Sequence, residues 1–285
     1  DTVVVPSGVQ LAPGGGLTLT GALAVDGGTV KLDGNYPVGT GNVALGDTAL
    51  DSVEAGGTCN VAIGHHAGTA ITTGDDNTAI GALSLDANTT GSKNTAVGHL
   101  SLSSNTEGLE NTGLGRSALF TNTTGDSNVA VGRLSLFSNT TADNNTAVGK
   151  ESLCANTTGT NNVAVGCGAL KTNTTGNGNV AVGTLSLNSN TTGGGNTAIG
   201  CLAMEENTTG GDSVGIGKNA LQENTTGGSN TAVGRCALAL NTTANYNTAV
   251  GNSALKLNTT GEQNTVLGVE ALDANTTGSD NVAIG

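Results

Sequence analysis

Three histidines, five cysteines and a scatter of carboxylates are the side chains of this sequence best suited to metal binding or catalysis. Their spacing does not assemble them. His65 and His99 fall at equivalent places two repeat units apart with Ala82 between them, and His66 follows His65 directly, so no ligand set emerges. Cys59, Cys154, Cys167, Cys201 and Cys236 are odd in number and lack CxxC spacing, which fits neither a zinc site nor a disulfide framework. Cys167 and Cys201 occupy the same place two units apart, hence ~9–10 Å at ordinary strand spacing, too far for an intrachain S–S bond. Free thiols are expected. Asp126, Asp143 and Asp280 sit in turn segments without forming a carboxylate column and read as solubilising charge. No phosphate loop or calcium-roll repeat is present. The expectation is no catalytic, cofactor or metal site, and no enzyme.

Two groups could take part in recognition. Phe120 and Phe137 hold equivalent places in adjacent units and should stack at the surface, where an aromatic pair can meet a sugar ring or another protein. Arg116 and Arg133 belong to a stripe with His99, Lys150, Lys218 and Arg235, readable as a solvated edge or as a glycan or receptor contact. The recurring Asn-Thr-Thr fits the N-glycosylation acceptor pattern. Corner chemistry accounts for it more simply, since asparagine also recurs at the other end of the unit.

What must position all these residues is a unit of seventeen, clearest in NTAVGKESLCANTTGTN from Asn145. Its leading residue returns without a change of period from Asn60 to Asn281, with Ser213 the single substitution. A period that admits no insertion means a stack of coils in fixed register. The fourth position is always branched and apolar (Val97, Val131, Val148, Val165), and the ninth is leucine (Leu102, Leu136, Leu153, Leu170) with one Met204. Both are expected to form buried ladders. Glycine at the fifth position (Gly98, Gly132, Gly149, Gly166) and nearly always at the fifteenth suits two corners of positive φ or close backbone approach, with a strand of about five residues on each side. Asn94, Asn128, Asn145 and Asn162 at the first position, with Asn122, Asn156 and Asn173 at the twelfth, can hydrogen-bond along the axis as amide ladders. The fold class expected is all-β, a parallel β-roll or β-solenoid; β-branched residues and two glycines per unit argue against helix.

Organisation follows from the repeat. Residues 1–41 lack the unit and alternate short β-rich runs with glycine-rich punctuation, which reads as an N-terminal cap or adaptor for the stack, or as a segment attaching to another assembly. Residues 42–285 carry about fourteen coils. The first is eighteen residues long, which predicts a bulge or longer turn, and the second has lost the NTT block. A chain opening at Asp1 with no leader-like segment and stopping within a motif reads as a mature or truncated fragment.

The balance of 22 acidic against nine basic residues, a net charge of −13, excludes a phosphate-neutralising nucleic-acid surface. No apolar run is long enough to span a bilayer as a helix, so no membrane insertion is expected. Each coil offers chiefly one Val or Ile and one Leu for burial, which is little for seventeen ordered residues. Packing against sister chains would supply more, and rotational symmetry with three chains is a natural closed form.

The motifs Asn60-Val-Ala-Ile-Gly64, Asn196-Thr-Ala-Ile-Gly200 and Asn281-Val-Ala-Ile-Gly285 resemble the N-[SA]-x-A-[IL]-G signature of the YadA-like head repeats of trimeric autotransporter adhesins. The form with an ALxxNTTG insertion also resembles repeats of phage tail-fibre and other surface-fibre proteins. The resemblance covers residues 42–285. It implies a left-handed, homotrimeric β-roll that serves as the shaft or head of a virion or extracellular appendage, attaching to a cell-surface glycan or protein. A secreted bacterial adhesin head is the alternative it leaves. An ice-binding solenoid, suggested by the threonine columns, is disfavoured because adjacent residues of a strand face opposite ways. The unit departs from the family in length, seventeen residues against about fourteen, which implies a larger second corner.

Overall fold

The computed structural model of the chain describes residues 39–285. The expected N-terminal segment, residues 1–41, lies outside the described residues but for its last three. From Val43 to Ile284 the chain forms a parallel β-solenoid without a helix. Fifteen three-residue strands, from β1 (Val43–Leu45) and β2 (Val61–Ile63) to β15 (Val282–Ile284), make one sheet whose spatial order is the chain order. Each strand pairs with the next in the same register, Thr146 opposite Val163 and Ala147 opposite Ala164, one unit apart. At ~4.8 Å per rung the stack is roughly 65–70 Å long.

One strand per coil replaces the two of five residues that the glycine spacing suggests. The backbone explains the difference. Positive φ recurs at the seventh, ninth and seventeenth positions, as at Glu151, Leu153 and Asn161, where φ is 58°, 48° and 58°. Left-handed residues bend the chain too sharply for a second extended run. The bent side is nevertheless bonded coil to coil: the N–H groups of Leu153 and Ala155 donate to Ala169 O and Lys171 O at 3.0 and 2.9 Å. Left-handed leucine is unusual, costing ~1–2 kcal/mol per residue. Complete burial of the side chain and satisfaction of its backbone offset that cost.

The interior is thin and lies between the strand and this bent side. Alternation along the strand points the third position inward, so Ala62, Ala96, Ala130, Ala147, Ala164 and their equivalents are fully buried, facing the ninth-position leucines. Leu102, Leu136, Leu153 and Leu170 are completely inaccessible. The fourth position faces the other way. Val97, Val131 and Val148 are half-buried and Val165 is 36% exposed, while Leu114 and Leu267 reach 45% and 51%. The reading of the fourth position as a buried ladder is therefore corrected for the single chain: with three residues per strand only the middle one can point inward, and that residue is alanine except at Gly113, Gly215 and Val266.

The extra residue of the first coil is taken up locally. Glu54 aligns with Thr72, eighteen residues on, whereas Thr58 aligns with Asp75, seventeen on, so the insertion lies between Glu54 and Gly57. The second coil has Gly68 where leucine belongs. There a Cβ would meet Ile71 Cδ1 at 3.0 Å and Leu50 Cδ2 at 3.1 Å, and Ile71, at the place of the missing ladder asparagine, is fully buried. Ile71 thus fills the leucine column from a neighbouring position.

Candidate functional site

Four features run along the stack, each built from columns of the unit repeated from coil to coil. The innermost polar column is the pair of asparagine ladders. In the first, the backbone N–H of Asn145 donates to Asn128 Oδ1 at 3.0 Å and that of Asn162 to Asn145 Oδ1 at 3.0 Å, with Asn94 and its equivalents alike. In the second, Asn156 Nδ2 donates to Asn139 Oδ1 at 3.0 Å and Asn173 Nδ2 to Asn156 Oδ1 at 2.8 Å; Asn122 repeats the pattern. The fifteenth-position carbonyl ties the two together. Gly159 O accepts Asn145 Nδ2 and Asn156 Nδ2, both at 2.9 Å. These asparagines are fully buried, and no buried side-chain N or O among the described residues lacks a partner. Since a glycan would have to replace a hydrogen on Nδ2, each buried twelfth-position asparagine from Asn105 to Asn258 is committed to the ladder rather than open to modification.

The glycine corners differ from each other. Gly98, Gly132, Gly149 and Gly166 have φ between 127° and 139°, and a Cβ on Gly149 would lie 2.5 Å from Gly166 O. Gly159, at the second corner, has no positive φ but the same crowding, 2.4 Å to Gly176 O. Ala142 and Ala244 show that this second corner admits a methyl group, at the expense of spacing. The hydrogen bonds Thr140 N–H to Thr157 O and Thr242 N–H to Thr259 O are 3.2 and 3.1 Å, against 2.8–3.0 Å at the same place in the coils from Thr72 onward. Beside this corner each thirteenth-position threonine turns its hydroxyl onto the next coil, as Thr157 Oγ1 does to Thr174 O at 3.0 Å. The adjacent fourteenth-position residue is left facing solvent.

The third surface carries the sequence-predicted contact residues. Phe120 and Phe137 stack with ring centroids 5.2 Å apart and planes 6° from parallel, both half-buried. Arg116 and Arg133 are exposed in the sixth-position stripe. Glu151 gathers a cluster that sequence reasoning missed: Lys171 Nζ at 3.0 Å, Lys150 Nζ at 3.4 Å and Arg133 Nη1 at 3.6 Å. The hydrogen bond from Lys171 and its charge, with help from Lys150, hold the Glu151 carboxyl below the ordinary range, and Glu151 raises Lys171 in return. Burial, then the Glu151 charge, push the neighbouring Cys154 thiol up. Only the unit-to-unit numbering of the sixth, seventh and tenth positions could have found this cluster.

The histidines do not converge on a ligand. His65 and His66 meet edge to face at 3.9 Å, and His66 Nδ1 is 2.8 Å from Thr48 Oγ1. Among the described residues no three His, Cys, Asp or Glu side chains are placed to hold a metal ion.

The fourth surface is the outer face of the sheet. Second-position Thr or Val and fourth-position Val, Ile or Leu line it along its whole length, for example Thr146 beside Val148 and Val163 beside Val165. An apolar strip ~65 Å long and on the order of 10 Å wide exceeds the few hundred Å² that single-chain proteins usually expose.

Fold and columns together define the chain as a tandem-repeat parallel β-solenoid of seventeen-residue coils. Compared with protein-family models, curated proteins and solved structures, the chain matches none.

Proposed function

We propose that the chain is a structural fibre segment, the homotrimeric shaft or head of a tail-fibre-like appendage that attaches a virion to a host or surface. The observation that carries the reading is the outward apolar face. A continuous row of fourth-position Val, Ile and Leu, partly exposed on every rung, suits a chain that packs its sheet against copies of itself. Left-handed coiling comes from the family resemblance, as does the number three. The fibre acts through rigidity, reach and repeated presentation, where several weak contacts add to a strong one. A cell-surface glycan or protein is the receptor class, and residues 1–41 are the link to other fibre components. The same resemblance supports a bacterial adhesin head as the second reading.

Electron microscopy of native particles labelled with antibody to this chain tests the assignment. Label on fibres projecting from virions supports it, label on filaments of a bacterial surface moves it to the adhesin, and label confined to non-fibrous soluble material overturns it.

A further inference from the structure

Charge is distributed unevenly along the bent side of the coil. The chain as a whole carries 22 acidic and nine basic residues. Across six consecutive rungs, from His99 to Ser189, the sixth to eleventh positions nevertheless hold four cations, Arg116, Arg133, Lys150 and Lys171, against one carboxylate, Glu151. On the remaining rungs the sixth, seventh and tenth columns carry more carboxylates than cations, as at Asp86, Glu205 and Asp273.

Arg116, Arg133 and Lys150 stand in one column on successive rungs, with backbones ~4.8 Å apart. Like charges so placed repel, and an alternating column would be more stable. Glu151 relieves the repulsion only in part. It is shared by Arg133, Lys150 and Lys171 at 3.6, 3.4 and 3.0 Å, while the exposed Arg116 has no ion pair among the described residues.

The same ion pairs fix how the columns lie. Glu151, at the seventh position, reaches the sixth position of its own rung and of the rung before, and the tenth position of the rung after. The seventh column therefore runs between the sixth and the tenth. On the two phenylalanine rungs the result is a strip with unlike sides: Arg116 and Arg133 along one, Phe120 and Phe137 along the other, with Leu134 between them. Leu134 and both rings are half-buried, so an apolar ledge borders a row of positive charge. The rings stack on each other along the axis, 5.2 Å apart and 6° from parallel, and so turn edges rather than faces to solvent.

A ligand suited to this strip has an apolar side and an anionic edge. An acidic saccharide has both, in its C–H surface and its carboxylate or sulfate groups. A polynucleotide would want ring faces for its bases and a longer run of cations for its phosphates. We infer that Arg116, Arg133 and Lys150, with Phe120, Phe137 and Leu134, form a binding strip for an acidic saccharide. This deepens the attachment reading of the preceding subsection and rests on it, giving the receptor class a chemistry and a place. Each guanidinium offers a planar fork to a carboxylate or sulfate, and the leucine and ring edges cover the C–H side by dispersion. Glu151 competes with the ligand for Arg133 and Lys150.

Titration calorimetry on the intact chain is the test, with circular dichroism to verify folding. The probes are a heparin hexasaccharide and a hexagalacturonate, with maltohexaose as the neutral saccharide and inorganic polyphosphate as the polyanion without sugar. The two acidic saccharides should bind and maltohexaose should not. R116Q, R133Q and K150Q together should weaken binding by about tenfold or more. K218Q with R235Q, in the same column beyond the strip, should change it by less than about twofold. E151Q removes the competing carboxylate and should tighten binding; an unchanged or lower affinity would count against the arrangement. F120S with F137S places in that column the residue Ser103 already holds there, and should weaken the saccharides by about threefold or more while leaving polyphosphate unaffected. If that variant does not fold, the arginine, distal and Glu151 variants, none at a buried position, decide. Overturning results are no acidic saccharide bound by the folded chain, equal losses from the strip and the distal pair, or polyphosphate bound as tightly as the saccharides with no response of either to loss of the phenylalanines, which would mark a general polyanion surface. Failure of saccharide binding removes the strip and leaves the fibre assignment, which antibody labelling decides by itself.

Discussion

Met204, the only methionine in the leucine column, lies against Gly215, one of only two glycines at the inward-facing third position from Ala62 onward. A Cβ on Gly215 would sit 2.8 Å from Met204 Cγ and 3.2 Å from its Sδ. The alanine normally found there has given way to the longer side chain of the coil before. Gly215→Ala is therefore expected to overpack the interior and cost about 1–3 kcal/mol. Met204→Leu in the same chain should recover most of that loss, a coupling that a double-mutant cycle in denaturant measures directly. Additive effects would mean that the two residues do not constrain each other.

Ser213 is the one break in the first asparagine ladder. It keeps the backbone rung, accepting Asn230 N–H at 3.1 Å and donating its own N–H to Asn196 Oδ1 at 3.1 Å. It has no amide to offer the Gly227 carbonyl, which takes only Asn224 Nδ2 at 2.9 Å. Ser213→Asn should stabilise the stack by about 1 kcal/mol. Asn145→Ala, which strips partners from several buried groups, should cost about 3 kcal/mol or more, and chemical denaturation of both variants checks the pair.

The two glycine corners should respond unequally to the same methyl group. Gly149→Ala combines a φ of 131° with a 2.5 Å approach to Gly166 O, whereas Gly159→Ala meets only the approach. Thermal melts should show the first substitution to be the more damaging, by about 1–3 kcal/mol. Equal melting temperatures would count against the backbone account of the invariant corner.

The Glu151 cluster makes a pH statement and a reactivity statement. A lowered carboxyl stabilises above its unfolded value of about 4.3 and loses that contribution as pH falls through the folded value. The raised Lys171 contributes below about 10.4 and loses its share as pH rises past its folded value. The stability difference between the unaltered chain and Glu151→Gln should therefore be flat across neutral pH and vanish on strong acidification; exposure keeps it small. The Cys154 thiol, half-buried with its thiolate disfavoured, should alkylate more slowly than the exposed Cys167 and Cys201. Mass spectrometry of a timed iodoacetamide reaction gives the order.

Much of the fold is legible in the sequence because period, invariance and residue type all describe the same stack. Unbroken spacing from Asn60 to Asn281 implies register, and paired asparagines such as Asn145 and Asn156 imply ladders. What misleads is the assumption that a branched apolar column points inward. Val148 reads as core and faces outward, while Ala147 beside it is the core, because a three-residue strand has one inward position, and in this thin coil a small residue fills it on every rung but that of Val266. Left-handed leucine is equally hidden: nothing in the identity of Leu153 announces a φ of 48°, which tertiary hydrogen bonding imposes on it. The Ile71 substitution into the leucine column needs side-chain reach that numbering alone does not convey. At the surface, the Phe120–Phe137 stack follows from the period, and the Glu151 cluster does not, since it joins three different positions across three coils.

The mass of the folded protein in solution, measured by light scattering on a size-exclusion column, bears most directly on the claim that the outward sheet face is a contact between copies. Three chains of 27.5 kDa give roughly 82 kDa, the value expected at micromolar concentration. A monodisperse 27.5 kDa species with an intact β circular dichroism signal would contradict it.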